Sequence, residues 1–477
     1  MTADQRPNLL VIMSDQHRPD GFSFRGSVAR TPNIDRLAAE GLTFTHAYCQ
    51  APICLPSRSS FISERYVRDH GVAGNDGDLP HDLETFPQKL REAGYYTAMI
   101  GKCDLYRDRS VSHVRETIYR MNQYGFDEPI ETGGQQQTAL VHSEYTDFLQ
   151  AKGRQFYETA RDWSARYSYR TRTIPMWQTE PHPLPAELYL DSWVGQRTAQ
   201  WIGEYRSDKP WFMWASFPGP HDPWDAPIEF LAKYRSSDIP PAHQTLPELT
   251  SAGAFGPFLQ RRLAVSDGMT HEAVREMRRA YYANIDLIDV EVGRILDALE
   301  ARGWLNNTWV VFTSDHGEML ADHGLLNKQV YYEPSVCVPL IVRPPGGTQT
   351  SSEARPVEQV DLSATLRAIA GAGPIIDGAG CSLAGHFGNG AAFTRNVAIS
   401  SQMGFAMFAT ERYKLVVHEA TLEPCQLFDL ELDPEEDRNL VHDEGHAQIR
   451  DELLAGYVRP FFSVPARTAD TGGARVP

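Results

Sequence analysis

Short apolar runs recur along the chain, and each stops at a polar residue. Residues 9–13 run apolar up to Asp15, 97–100 up to Lys102, 211–217 up to His221, and 309–313 up to Asp315. Runs of this length suit strands buried on both faces. Between them lie stretches of helical period. Ile285, Ile288, Val292, Ile295, Leu296 and Leu299 recur mainly at three- and four-residue intervals, and Thr31-Pro32-Asn33-Ile34-Asp35-Arg36-Leu37 opens another helix. Strands alternating with helices predict an α/β fold, a large mostly parallel sheet flanked by helices. Ligands of such sheets bind outside the carboxyl ends of the strands, so the four polar termini are expected along one edge.

Two regions depart from this rhythm. Residues from about 130 to 200 are rich in Tyr, Arg, Gln and Trp and read as an insertion, either shaping a binding pocket or lying on the surface with no role in it. From about residue 376, strand-like 407–410, 413–417 and 426–430 precede a final helix. The expected division is therefore a large α/β domain over 1–375 and a small C-terminal α+β subdomain over 376–477. The Gly/Thr/Ala-rich stretch 466–477 reads as a tail, either disordered or docked on a neighbouring subunit.

Composition narrows the function. A chain of 477 residues can bury a large core, and a net charge of -17 argues against nucleic acid or an anionic membrane as partner. A small anionic substrate stays compatible, because a bound metal and a few converging cations invert the field locally. The six cysteines are scattered without C-x-x-C spacing, and residues 1–7 lead into the first strand without a leader. A cytoplasmic protein with reduced thiols is expected. No apolar stretch reaches the roughly 20 residues that a membrane helix needs.

The chemistry concentrates in Cys54-Leu55-Pro56-Ser57-Arg58. This pentapeptide lies between Pro7-Asn8-Leu9-Leu10-Val11-Ile12-Met13-Ser14-Asp15 and Trp309-Val310-Val311-Phe312-Thr313-Ser314-Asp315-His316-Gly317-Glu318. Together they resemble, over nearly the whole chain, the sulfatase branch of the alkaline phosphatase superfamily. His316, where many members have Asn, is nearest in look to the choline sulfatase and phosphonate monoester hydrolase types. The resemblance implies that formylglycine-generating machinery converts Cys54 to a formylglycine nucleophile, and that Asp15, Gln16, Asp315, His316 and the modified Cys54 surround one divalent ion. Calcium, magnesium or manganese fits the oxygen ligands, and the histidine favours manganese. On a helix starting at Cys54, Arg58 returns to the same face, where it is expected to neutralise the nucleophile's developing charge. Lys102 and Lys328 match the lysines that hold sulfate oxygens and support the leaving group, His221 the general acid, and Asn75 an oxyanion donor or a turn residue. His17 and Arg18 either line the pocket or sit in a solvated loop. By the same resemblance the protein is expected to be a homo-oligomer.

Three further positions depart from the family pattern. Gln16 stands where many members have Asp, Glu64 where Gly is common, and Asp104 where most have His. An anion at Asp104 would repel sulfate unless it turns away to pair with an arginine or meets a positive part of the substrate. The leading reading is a metal-dependent hydrolase of sulfate monoesters. Phosphonate monoesters or phosphodiesters are the alternative substrates, and a catalytically silent ligand-binding relative is the alternative of another class.

Overall fold

The computed structural model describes residues 6–107, 111–168, 172–388 and 390–466. Most of the C-terminal Gly/Thr/Ala-rich stretch lies outside them. The main sheet has nine strands: β1 (Asn8–Ser14), β2 (Leu42–Tyr48), β3 (Tyr96–Gly101), β4 (Glu128–Glu131), β5 (Trp211–Ser216), β6 (Thr308–Ser314), β7 (Cys337–Arg343), β8 (Ser351–Glu353) and β9 (Val357–Glu358). Their order is β4-β3-β5-β1-β6-β7-β2-β8, with β9 also on β2. All neighbours run parallel except β7, which is antiparallel to both β6 and β2. This is the mostly parallel sheet that the apolar runs predict.

Burial on both faces explains those runs. Leu9, Val11 and Met13 of β1 join a core with Phe61, Phe86 and Trp214 on one face. Leu10 and Ile12 join Val194, Ile288, Val292 and Ile295 on the other. The second face is covered by the helices Leu190–Glu204 and His271–Ala301. The longer of them starts at Thr270, whose hydroxyl accepts from Ala273 N at 3.1 Å.

A separate four-stranded antiparallel sheet follows: β10 (Ala398–Gln402), β11 (Phe405–Ala409), β12 (Tyr413–His418) and β13 (Pro424–Asp429). The helices Ala447–Leu453 and Arg459–Ser463 come after it. Buried Lys414 of β12 fastens this sheet to the main body, with Nζ 2.7 Å from Glu333 Oε1 and 2.6 Å from Glu436 Oε1. The six cysteines stand unpaired. No helix among the described residues is long and apolar enough to cross a membrane.

The aromatic-rich insertion is tied down by a buried carboxylate. Asp225 Oδ2 accepts from Trp163 Nε1 at 2.5 Å and Oδ1 from the Tyr189 hydroxyl at 3.0 Å. Burial raises the Asp225 pKa to about 7, well above an unfolded aspartate. The folded state therefore holds a proton that the unfolded chain releases, and the associated stability is lost as pH rises from about 4 to about 7. Asp225→Asn keeps a neutral side chain throughout, so wild-type stability is predicted to fall relative to the variant across that window. Denaturant midpoints of both proteins, taken at several pH values, measure this difference.

Candidate active site

Four adjacent parallel strands deliver the polar residues. Lys102 follows β3, His221 lies beyond β5, Asp15 follows β1, and Asp315-His316 follows β6. Because Ser14 and Ser314 are paired in register, Asp15 and Asp315 leave adjacent strands side by side. The turn after β3 needs glycine at 101, where φ is +112° and a Cβ would lie 1.9 Å from the Ser216 carbonyl oxygen. That close approach lets Lys102 N donate to Ser216 O at 3.0 Å.

The nucleophile candidate opens the helix Cys54–Ser63, all ten residues of which are buried. Ile53 offers no side-chain cap, and Asn75 Oδ1 instead accepts from Leu55 N at 2.9 Å. Asn75 thus fixes the helix start as well as lining the cavity above it. Cys54 Sγ lies 3.2 Å from His316 Nε2 and 4.0 Å from Asp15 Oδ1. Burial and Asp15 oppose ionisation of this thiol, yet Lys102, Lys328 and His316 hold its pKa well below the cysteine range. At the other end Glu64 has φ +57°, in the region that favours glycine. Arg367 holds the buried Glu64 carboxylate through two 2.7 Å hydrogen bonds.

Arg58 sits one turn beyond Cys54, but it faces the carboxylates. Its Nε donates to Asp315 Oδ2 at 2.7 Å and Nη2 to Asp15 Oδ2 at 3.1 Å, while Nη1 donates to Lys102 O at 2.7 Å and Ser216 Oγ at 2.8 Å. Its guanidinium is engaged by the carboxylates, holding two of them apart and oriented, and Cys54 lies close enough to add to the charge that stabilises it.

These contacts occupy the Oδ2 atoms. Asp15, Cys54, Asp315 and His316 each offer a ligand atom within 4.8 Å of the others. His316 Nδ1 donates to Gly317 O at 3.0 Å, which fixes the tautomer with the Nε2 lone pair turned to the cluster. Burial opposes ionisation of Asp15, but Lys102, His221 and Arg58 hold it well below the carboxylate range. For Asp315 burial prevails over Arg58 and the pKa is raised. Two carboxylates, one oriented imidazole and a sulfur or oxygen at position 54 fit one divalent cation. Gln16 fits less well. Its amide donates to Glu318 and accepts from Lys328, so both ends are engaged and it positions the lysine.

The remaining cations flank the cluster. Lys102 Nζ bridges Asp15 and, at 3.0 Å, Asp104 Oδ2; Arg107 Nη2 lies 3.2 Å from the same oxygen. Burial opposes the Asp104 charge, but Arg107 and Lys102 outweigh it and hold the carboxyl well below its usual range. Asp104 is therefore neutralised, and the repulsion that its sequence position threatened does not arise. On the opposite side Lys328 Nζ donates to His221 Nε2 at 2.7 Å, and His221 Nδ1 donates to Asp222 O at 2.6 Å. Burial lowers the His221 pKa and Asp222 raises it, with a net rise.

Cys54, Lys102, His221 and Lys328 open into a cavity of about 710 Å³. The insertion supplies part of its wall through Gln135, Gln136, Arg172 and Met176, so of the two readings of that region the shaping one holds. Sequence reasoning missed Arg107, Asp222, and the β10–β11 hairpin residues Gln402 and Met403, which also line the cavity or orient its groups. A signal for the arginine was present, since such a partner is one of the two ways in which Asp104 becomes tolerable. His17 and Arg18 do neither of the things expected: both are buried, His17 stacking on Phe22 and Arg18 pairing with Asp20 and Asp322.

The fold is alkaline phosphatase-like, with the polar site at the carboxyl edge of the sheet. The sulfatase family model matches residues 7–372, and a C-terminal model described as N-sulphoglucosamine sulphohydrolase matches 321–458. The chain belongs to the sulfatase family and is a sulfuric ester hydrolase. It is 29% identical to a choline-sulfatase of Rhizobium meliloti over 91% of this chain and 82% of the relative. It is 28% identical to an arylsulfatase of Clostridium perfringens over 76% and 74%. The phosphonate monoester hydrolase of Agrobacterium radiobacter superposes with a TM-score of 0.79 at 25% identity, covering 96% of this chain and 95% of that one.

Arg58→Leu leaves two buried carboxylates without their shared cation. The metal-free protein is predicted to lose about 3–5 kcal/mol of stability, and added divalent ion should restore more of it than it adds to wild type. Thermal unfolding with and without a chelator measures both.

Proposed function

We propose that the chain hydrolyses sulfate monoesters with formylglycine, made from Cys54 by maturation machinery, as nucleophile and with one divalent ion held beside it by Asp15, Asp315 and His316. The observation that carries this reading is the placement of Cys54 at a buried helix N-terminus, with Sγ 3.2 Å from His316 Nε2 and its ligand atom within 4.8 Å of those of both aspartates. When bound, a calcium, manganese or magnesium ion supplies Lewis-acid polarisation at the anionic centre.

The chain's own residues do the rest. Lys102 and Lys328 both line the cavity and hold the non-bridging oxygens of the ester. The Lys328–His221 pair shares a proton beside the cavity, and Asp222 orients the imidazole. As the bond from sulfur to the leaving oxygen breaks, this pair gives that oxygen its proton and the product departs as a neutral alcohol. Arg58 and Asn75 are positioning residues for the carboxylates and the nucleophile helix. Residues 1–375 would carry this machinery and 376–477 a lid-like wall through Gln402 and Met403.

A second reading, hydrolysis of phosphonate monoesters or phosphodiesters, is favoured by the likeness to the Agrobacterium radiobacter enzyme. Both substrate classes share a tetrahedral, singly charged centre. The test compares kcat/KM for an aryl sulfate and an aryl phosphonate monoester on metal-loaded protein, with Cys54→Ala as blank. A sulfate preference above about tenfold supports the first reading, a phosphonate preference the second, and no rate above the blank for either refutes both. His221→Ala is predicted to lower kcat by about 10²–10⁴ for alkyl esters and much less for nitrophenyl esters, whose leaving oxygen needs no proton.

A further inference from the structure

Away from the Cys54 cluster, three segments distant in sequence bring two imidazoles and a carboxylate together. His243 belongs to the loop that precedes the helix Gly256–Leu263, His323 to the turn beyond Asp315-His316, and Asp437 to the turn after β13. Their ligand atoms lie within 4.8 Å of one another, the one further group of this kind among the described residues. The rings of His243 and His323 stand 4.9 Å apart between centroids.

Each member is held by its surroundings. His323 is buried, stacks on Tyr332 at 4.4 Å, and donates from Nδ1 to Thr245 O at 2.8 Å, which leaves Nε2 as a lone-pair atom. An imidazole whose outer nitrogen binds a carbonyl is in the form and orientation that metal ligation uses. His243 N donates to Asp322 Oδ1 at 2.8 Å and its carbonyl accepts from His323 N at 3.0 Å, so the two histidine segments are laced together. Asp437 N donates to Asp433 Oδ1 at 3.1 Å, and the adjacent Glu436 is anchored to Lys414. His243 Nε2 and Asp437 Oδ1 are 2.5 Å apart, and Glu435 Oε2 lies 4.0 Å from His243 Nδ1.

We propose that His243, His323 and Asp437 form a second metal site, for zinc or a similar first-row divalent ion, that fastens the C-terminal sheet to the α/β body. Two nitrogens and one carboxylate make a borderline donor set, which prefers zinc over calcium or magnesium. A tetrahedral site with bonds of about 2.0–2.1 Å spaces its ligands by about 3.3 Å, so Asp437 need retreat by less than about an ångström. A half-exposed loop carboxylate can do so. The ion takes the place of the proton shared by His243 Nε2 and Asp437 Oδ1, which is released on binding; water completes the coordination. The pattern is distinct from the first cluster in place and in ligand chemistry, so it stands whether or not Cys54 is converted.

The test is metal content and thermal unfolding of the tag-free, full-length protein, held in excess calcium or magnesium and titrated with zinc. Wild type is expected to retain one zinc per chain against the excess and to gain a higher unfolding midpoint. His243→Gln and Asp437→Asn, both at partly exposed positions, should each bind this zinc at least about tenfold more weakly and lose the midpoint shift, with sulfatase turnover in calcium or magnesium unchanged. Anomalous diffraction at the zinc edge should place the ion between His243 and His323. Equal zinc stoichiometry and equal midpoint shifts in wild type and both variants, or anomalous density confined to the Cys54 cluster, would overturn the proposal.

Discussion

Two carboxylates that leave neighbouring strands in register, Asp15 and Asp315, cannot both be buried as anions without compensation. The parallel pairing of β1 with β6 forces them together, and the sheet's interior excludes the water that would solvate them. Arg58 answers that constraint from behind and Lys102 from the side, each through an Oδ2 atom. What remains in front is a set of ligand atoms around Cys54. The nucleophile motif and the cation site are therefore one electrostatic object: the arginine that completes the Cys-x-Pro-Ser-Arg pattern also makes the paired carboxylates tenable.

The same logic runs outward. Lys102 is shared between Asp15 and Asp104, and Asp104 is in turn held by Arg107, so each buried charge has a neighbour of opposite sign. Across the cavity Gln16 links Glu318 to Lys328, and Lys328 reaches His221. Removing one partner in such a network leaves an uncompensated charge, which costs more than the intact pair contributes. Backbone strain collects at the same place: Gln16, Asp104, Asn327 and Gln329 all have positive φ without being glycine.

Four strands of the main sheet, β1, β3, β5 and β6, were legible because burial on both faces demands unbroken apolar runs, and the polar residue ending each run marked the functional edge. The helix Cys54–Ser63 was not legible from hydropathy, since Ser57, Arg58, Ser59, Ser60 and Ser63 are polar yet buried; only the motif located it. Local sequence placed Arg58 on the same helical face as Cys54, but its partners come from β1 and β6, so its role as a clamp on the carboxylates had to await the fold. Gln16 was read by its position as a ligand, whereas the direction of its amide is set by Glu318, some 300 residues away. Gln402 and Met403 reach the cavity through tertiary packing alone, which no spacing rule anticipates. Glu64 looked like a defect in the motif and proved to be a compensated one, its strained backbone offset by Arg367.

The central claim is that this electrostatic arrangement serves a converted Cys54. The most direct measurement is the mass of the peptide containing residue 54, from protein made in a host with formylglycine-generating machinery. The account predicts a species about 18 Da lighter than the cysteine form, with ester hydrolysis rising in proportion to its fraction. An unmodified cysteine in protein that nonetheless turns over the ester at full rate would contradict it.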